Sequence, residues 1–289
     1  MLQVENTNHC NHRCTYCLTH SEGSSLEAPQ GHMAMDRFRA ILDRHPEAGL
    51  LVLQGDGEPL LDPTLFDKLA LARARGLAVQ VITNGSLLDP AMAERLARDG
   101  PDLLLVSVDA VSPERNMSLR RGMRYPQVMD GVRAVVQARA RTRRFMAIGL
   151  LSIVHGPFDA EAESALLSFN GLGIDILFYK QLNPAYEGRI RGYRTAQAGV
   201  VPAATRKALR YPVHHQRLAT VRPCAYLRYG FPYYLWDGRR TPCCVLNDPS
   251  YCGPEFTREA LLARLERGDA PAECERCSFY AGAGKGQAG

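Results

Sequence analysis

Residues 10–17 read Cys-Asn-His-Arg-Cys-Thr-Tyr-Cys, a CxxxCxxC run directly after an extended segment at 2–8. Three thiolates on one short loop can each hold one iron of a [4Fe–4S] cluster, leaving the fourth iron without a protein ligand. That open position is what chemistry needs, since a closed structural site takes nothing further. Zinc is the other occupant such thiols accept. It favours paired CxxC units and a fourth ligand nearby, and His9, His12 or His20 could supply one. A second thiol group, Cys224, Cys243, Cys244, Cys252, Cys274 and Cys277, falls late in the chain. Its closing CxxC, Cys274 and Cys277, can be half of a four-thiolate site completed from a hairpin, for a second cluster or for zinc.

A third chemical signal is Gly55-Asp56-Gly57-Glu58-Pro59, which follows the apolar run Leu51-Val52-Leu53. An apolar run ending in Gly-x-Gly reads as a buried strand and a tight turn open to close ligand approach.

The elements that must position these residues alternate in type. Strand-like segments fall at 2–8, 49–53, 78–83, 103–108, 145–154 and 174–181. Helical segments fall at 35–44, 63–76, 89–99, 126–141 and 159–170. Asp89 is a good N-cap there, with Pro90 at the first helical position. Six βα-like units imply a parallel sheet covered by helices. Ligands in such folds collect at the carboxyl ends of strands, where the glycine and polar motifs fall. From Arg222 the pattern changes to short apolar pieces and turns. Segments 231–236 and 239–244 read as a β-hairpin about Asp237-Gly238, followed by a helix at 261–267. The chain is therefore expected to divide into 1–200 and 201–289, with a flexible tail at 281–289.

Composition narrows the class. The 289 residues are 46% hydrophobic and carry a formal charge of +5, with nine cysteines. The longest apolar run is too short to span a bilayer, so no membrane partner is expected. The first strand begins at Leu2 with no leader, which points to a cytoplasmic protein whose cysteines are metal ligands rather than disulfides. The arginines (Arg120, Arg121, Arg124, Arg139, Arg141, Arg143, Arg144) are scattered, which reads as solvated surface and not as a nucleic-acid site.

The cysteine run and the Gly-x-Gly-Glu-Pro turn, one helix apart, resemble the radical S-adenosylmethionine (SAM) superfamily. The resemblance implies an α/β fold with a partial (β/α)6 TIM-like barrel. It implies a [4Fe–4S] cluster on Cys10, Cys14 and Cys17 whose open iron takes SAM, with Tyr16 matching the aromatic before the third cysteine. Gly55, Gly57 and Glu58 would meet the SAM ammonium, and Asn84, Ser107 and Asp109 its ribose and methionyl parts. Arg121-Gly122 resembles a further loop element of these enzymes.

The late cysteines resemble a twitch or SPASM auxiliary-cluster region. That resemblance implies a second [4Fe–4S] cluster on Cys224, Cys243, Cys274 and Cys277, leaving Cys244 and Cys252 unspent. If Cys243 faces the cluster from a strand, Cys244 faces the opposite side, since side chains alternate. The chain resembles the aminoglycoside-modifying members in particular. The expected function is a radical SAM epimerase inverting a carbon of an aminoglycoside (neomycin C to B type). A 5′-deoxyadenosyl radical would remove hydrogen and the Cys244 thiol would return it. An aminocyclitol or sugar-alcohol dehydrogenase, or a peptide-modifying SPASM enzyme, is the alternative. An electron donor such as flavodoxin or ferredoxin is an implied partner. A polycationic substrate asks for carboxylates, for which Asp109, Glu187, Asp237 and Asp248 are candidates.

Overall fold

The computed structural model describes residues 1–22, 29–186, 190, 199–215, 223–277 and 279–280. Glu187 and the tail at 281–289 lie outside the described residues. Eleven strands are described: β1 (Leu2–Val4), β2 (Arg13–Cys14), β3 (Leu50–Leu53), β4 (Ala78–Thr83), β5 (Leu103–Ser107), β6 (Arg120–Arg121), β7 (Ala147–Val154), β8 (Ile176–Gln181), β9 (Val213–His215), β10 (Tyr233–Tyr234) and β11 (Arg240–Thr241). The helices are α1 (Met35–Asp43), α2 (Leu65–Ala74), α3 (Pro90–Asp99), α4 (Pro113–Leu119), α5 (Tyr125–Ala140), α6 (Ala160–Ser168), α7 (Ala203–Ala208), α8 (Ala225–Tyr229), α9 (Arg258–Glu266) and α10 (Ala272–Arg276).

One sheet runs in the order β11-β10-β1-β3-β4-β5-β7-β8-β9, and every neighbouring pair is parallel except β10–β11. The six expected βα strands are all present. Two parallel neighbours were not foreseen, β9 beyond β8 and β10 beside β1. Both are only two or three residues long, too short to show an alternating pattern. Asp89 caps α3 as expected, its side chain accepting from the Met92 N–H. β7 is buried along nearly its whole length, as a central parallel strand with both faces covered must be. Helices pack their apolar faces on the sheet, with Phe38, Ile41, Leu69, Leu96, Val128 and Val132 essentially inaccessible. Burying each such side chain contributes about 1.5–3 kcal/mol. No helix among the described residues is long and apolar enough to cross a membrane.

A second, smaller core gathers Ala185, Leu227, Leu246, Leu261 and Leu265 with Cys224, Cys243, Cys274 and Cys277. It is joined to the sheet at both ends. The hairpin β10–β11 extends the sheet beside β1, while α10 packs on the turn Pro184–Tyr186 that follows β8. The Asn183 Nδ2–H donates to Cys277 Sγ at 3.3 Å, tying the loop after β8 to this core.

Glu5, just past β1, is buried and ties three loops together. Its Oε1 accepts from the Asp56 N–H at 2.8 Å and its Oε2 from the Trp236 N–H at 3.2 Å. Burial, and then the neighbouring Asp56 carboxylate, push its pKa up to about 8 from 4.5. A raised carboxylate stabilises the fold fully below about 4.5, and that contribution is lost as pH rises through about 8. Melting temperature should therefore fall from pH 5 to pH 8, and Glu5→Gln should flatten the slope by on the order of 2 kcal/mol. Parallel pH profiles for the two proteins in thermal unfolding would remove Glu5 as the cause.

Candidate functional site

The sequence motifs converge at the carboxyl ends of the parallel strands. The cysteine loop follows β1, Gly55–Glu58 follows β3, Asn84 follows β4, Ser107 ends β5 and Lys180 lies near the end of β8. Together they wall a cavity of about 680 Å³, lined also by Cys10, Cys14, Cys17, Tyr16, Arg120, Tyr226 and Cys244. Placement of a cavity there is what parallel α/β architecture favours.

Backbone pairing fixes the thiol loop. The Glu58 N–H donates to the His9 carbonyl at 2.7 Å, and the Thr15 N–H to the Leu119 carbonyl at 2.8 Å. In the two-residue ladder β2–β6, Cys14 lies opposite Arg120 and Arg13 opposite Arg121. Alternation then turns Arg120 inward and Arg121 outward. Arg121 is half-exposed and pairs with Glu22, so the arginine of this loop that reaches the cavity is Arg120.

Asp109 does not line the cavity as expected. It is fully buried, and all its acceptor capacity is used within the protein. Its Oδ1 accepts from Arg120 Nη2 at 2.7 Å and the Ile153 N–H at 2.9 Å. Its Oδ2 accepts from Arg120 Nε at 3.1 Å and the Tyr16 hydroxyl at 2.7 Å, with His155 Nε2 at 3.0 Å. Burial alone would raise the carboxyl, but Arg120 and His155 hold it well below the usual range. Asp109 is thus the buried counter-charge that orients Arg120 and Tyr16, and a direct contact with a ligand is not open to it.

Glu58 and the glycines also take more structural places than the motif implies. Glu58 Oε1 accepts from Leu60 N–H at 3.0 Å and Thr83 Oγ1 at 2.6 Å, and its Oε2 from Asn84 N–H at 2.5 Å. Burial pushes its pKa up to about 6. A Cβ on Gly57 would lie 2.2 Å from the Thr7 carbonyl oxygen, and one on Gly55 2.4 Å from the Glu5 side chain. Both glycines therefore let backbone approach backbone or side chain behind the turn, while the turn itself stays in the cavity wall. Gly57→Val should push the turn off the cysteine segment, with about 1–3 kcal/mol lost and less iron retained. Normal iron with only SAM binding lost would reinstate the direct role.

Asn84 presents its amide to the loop, donating to Asn11 Oδ1 at 2.8 Å and lying 4.0 Å from Cys10 Sγ. Of the three histidines that could have completed a zinc site, His12 alone lines the cavity. His20 Nε2 bonds the Asn8 carbonyl at 2.9 Å and His9 stacks on His32. Both ring nitrogens of buried His12 lack a partner, and burial then Arg120 lower its pKa to about 4. An orphaned neutral imidazole between Cys10 and Cys14, facing a cavity ringed by three thiols, fits a group that occupies that space. Among the described residues no three His, Cys, Asp or Glu side chains converge closely enough to hold a single ion. A cluster that offers each thiol its own iron asks for such separated thiols. Burial pushes the Cys10 thiol up to about 11, so ligation must displace its proton.

Cys243 and Cys244 stand differently from the strand expectation. β11 ends at Thr241, and both cysteines lie in the turn beyond it. Cys243 is buried in the second core, where its sulfur accepts from the Leu246 N–H at 3.5 Å. Cys244 faces the cavity through the bend of this turn, and not through strand alternation. Its sulfur bonds the Tyr226 hydroxyl and lies within electrostatic reach of Lys180; burial pushes the thiol up to about 11, which keeps it S–H near neutrality. Cys252 ends the short turn of helix Pro249–Cys252 and is absent from the cavity wall.

Of the other candidate substrate carboxylates among the described residues, Asp237 and Asp248 do not line the cavity. Asp237 pairs with Arg239 and Asp248 caps the turn at Ser250. The acids that line it, Asp56 and Glu58, are engaged by protein donors, Asp56 by Thr19 Oγ1 at 2.5 Å and Asn247 Nδ2 at 3.1 Å. Sequence reasoning missed Arg120, Lys180 and Tyr226 as cavity residues. A signal existed for Lys180 alone, the last-turn position of an alternating strand.

A partial barrel of parallel strands with a thiol loop at its mouth defines a class, and comparison with known proteins agrees. The radical SAM superfamily model matches residues 4–163, more than half the chain. The chain belongs to that superfamily, with the partial TIM barrel, the SAM cofactor and the [4Fe–4S] cluster that membership implies. A tungsten-containing aldehyde ferredoxin oxidoreductase cofactor-modifying protein of Pyrococcus furiosus is 26% identical over 255 residues, 84% of this chain and 70% of that protein. Neomycin C epimerase of Streptomyces fradiae is 35% identical over 132 residues, which is 45% of this chain and only 40% of the epimerase. Among solved structures, SuiB of Streptococcus suis bound to S-adenosylmethionine superposes with a TM-score of 0.63 over 96% of this chain and 70% of that one, at 13% identity. That last likeness concerns the fold.

Proposed function

We propose that this radical SAM enzyme is an epimerase that inverts a carbon centre of its substrate with Cys244 as the hydrogen donor. The observation that carries the reading is a division among thiols. Cys10, Cys14, Cys17 and Cys244 wall one cavity, whereas Cys224, Cys243, Cys274 and Cys277 are buried in the core behind it. In this reading Cys10, Cys14 and Cys17 hold the SAM-cleaving cluster, with Tyr16, Glu58, Asn84, Ser107 and Arg120 around SAM. The four buried thiols hold a second [4Fe–4S] cluster in a twitch-type region spanning 201–289.

When bound, the reduced cluster and SAM supply a radical that takes one hydrogen atom from a substrate carbon. The protein's part is to hold Cys244 on the far side of that carbon. Its S–H bond breaks, a C–H bond forms with inverted configuration, and the sulfur is left one electron and one proton short. A one-electron donor of the ferredoxin or flavodoxin class and a proton from solvent would restore the thiol, and a cluster held by Cys224, Cys243, Cys274 and Cys277 would supply redox chemistry close by. The partial alignment with neomycin C epimerase supports this reaction type. An aminoglycoside substrate has that same local support, but the cavity's acids are already spent on protein donors.

The test is turnover in D₂O of reduced protein with SAM and a panel of aminoglycosides, sugar acids and sugar phosphates. An inverted product one mass unit heavier, with one SAM consumed per product, is expected. A product two mass units lighter would make the enzyme a dehydrogenase, and a modified peptide as the sole product would move it to peptide chemistry.

A further inference from the structure

The cavity wall carries one charge that no group among the described residues pairs with. Along β8 the side chains alternate, so Phe178 and Lys180 face the cavity while Tyr179 is buried in the core, edge-on to His215. Across the parallel pair, His214 stands beside Phe178 on the cavity side. The other cation of the wall, Arg120, is matched by the bidentate Asp109. Lys180 Nζ has no hydrogen-bond or ion-pair partner among the described residues, and its electrostatic neighbours are the Cys244 sulfur and Arg120. A cation withdrawn from water without a counter-charge costs free energy, which an anion in the cavity would recover. The two acids in the wall cannot serve, because their oxygens are held elsewhere.

We infer that Lys180 anchors an anionic group, a carboxylate or a phosphate, on the substrate whose reacting carbon faces Cys244. The geometry has a consequence for specificity. Lys180 comes from β8, next to the β9 edge of the sheet, and Cys244 from the turn after β11 at the other end, and the two are electrostatic neighbours, so an anchored anion and the hydrogen donor approach the substrate from neighbouring parts of the wall. Phe178 and His214, on the same face, offer flat surfaces to the carbon skeleton between them. A polyol or ring bearing an acidic group fits this wall, and a polycation does not. The inference rests on the reading above only in taking the space beside Cys244 as the substrate's place.

The experiment is calorimetric titration of inorganic phosphate, of glutarate and of neutral glycerol into iron-loaded, SAM-saturated protein. At least one anion should bind and glycerol should not, with the preference between phosphate and glutarate naming the group. Lys180→Met should weaken the anion by about tenfold or more, while Lys180→Arg, which keeps the charge, stays within about threefold of wild type. Wild-type protein that takes up neither anion overturns the inference whatever the variants do, as does equal affinity in Lys180→Met. A fall in SAM affinity in Lys180→Met, measured separately by equilibrium dialysis, would also overturn it by giving Lys180 to the cofactor's own carboxylate. None of these readouts needs turnover, so they fail or hold independently of the D₂O test.

Discussion

Replacing Cys10, Cys14 and Cys17 together by alanine should abolish SAM cleavage and leave about half the iron, four of roughly eight per chain. Two features of the structure set that expectation. The three thiols sit on a loop at the cavity rim, where they are only partly buried. The other candidate ligands lie in a separate core, bounded by Leu227, Leu246, Leu261 and Leu265, that does not include the loop. Losing three half-buried sulfurs removes little packing, and the loop's backbone bonds to Glu58 and Leu119 do not depend on them. Circular dichroism should therefore be nearly unchanged while 5′-deoxyadenosine formation disappears. Iron and sulfide analysis reads the other half of the result. Zinc in place of iron at the second group would refute the twitch-type assignment, and retained SAM cleavage would refute the first.

Cys244→Ala should still cleave SAM and remove hydrogen from substrate, yet form epimer on the order of a hundredfold more slowly, because only the returning step is lost. Cys244→Ser sharpens the comparison. A hydroxyl preserves the size of the side chain and its bond to Tyr226, but its O–H is far too strong to give a hydrogen atom to carbon. Serine should thus fail as alanine does, which a mere packing role would not produce. The check is the ratio of 5′-deoxyadenosine to epimer, together with deuterium at the inverted carbon in D₂O. Normal epimerisation by both variants would dismiss Cys244. Loss of epimer in Cys252→Ala alone would contradict the geometry, since Cys252 does not reach the cavity wall.

The sequence by itself determined the class and the chemistry. CxxxCxxC, the turn from Gly55 to Glu58, and six apolar runs alternating with amphipathic ones are local signals. Their meaning depends on spacing within a few residues of chain, which is why the strands and the Asp89 cap fall where the pattern put them. Which motif residues face the cavity was decided only by tertiary structure. Asp109 looks like a ligand contact from its place at a strand end. The fold instead brings Arg120, Tyr16, His155 and the Ile153 N–H around it, and no local rule encodes those four partners. Gly57 is a glycine because the Thr7 carbonyl lies against it, fifty residues away in the chain. Cys244 reaches the cavity by the bend of a turn, although strand alternation predicted the same side for another reason. Lys180 and Cys244 become neighbours because β8 and the turn after β11, toward opposite ends of the strand order, line one cavity. Side-chain direction at one strand is local. The meeting of residues from opposite ends of the strand order depends on the accumulated twist and packing of every strand between them, and no window of sequence contains it.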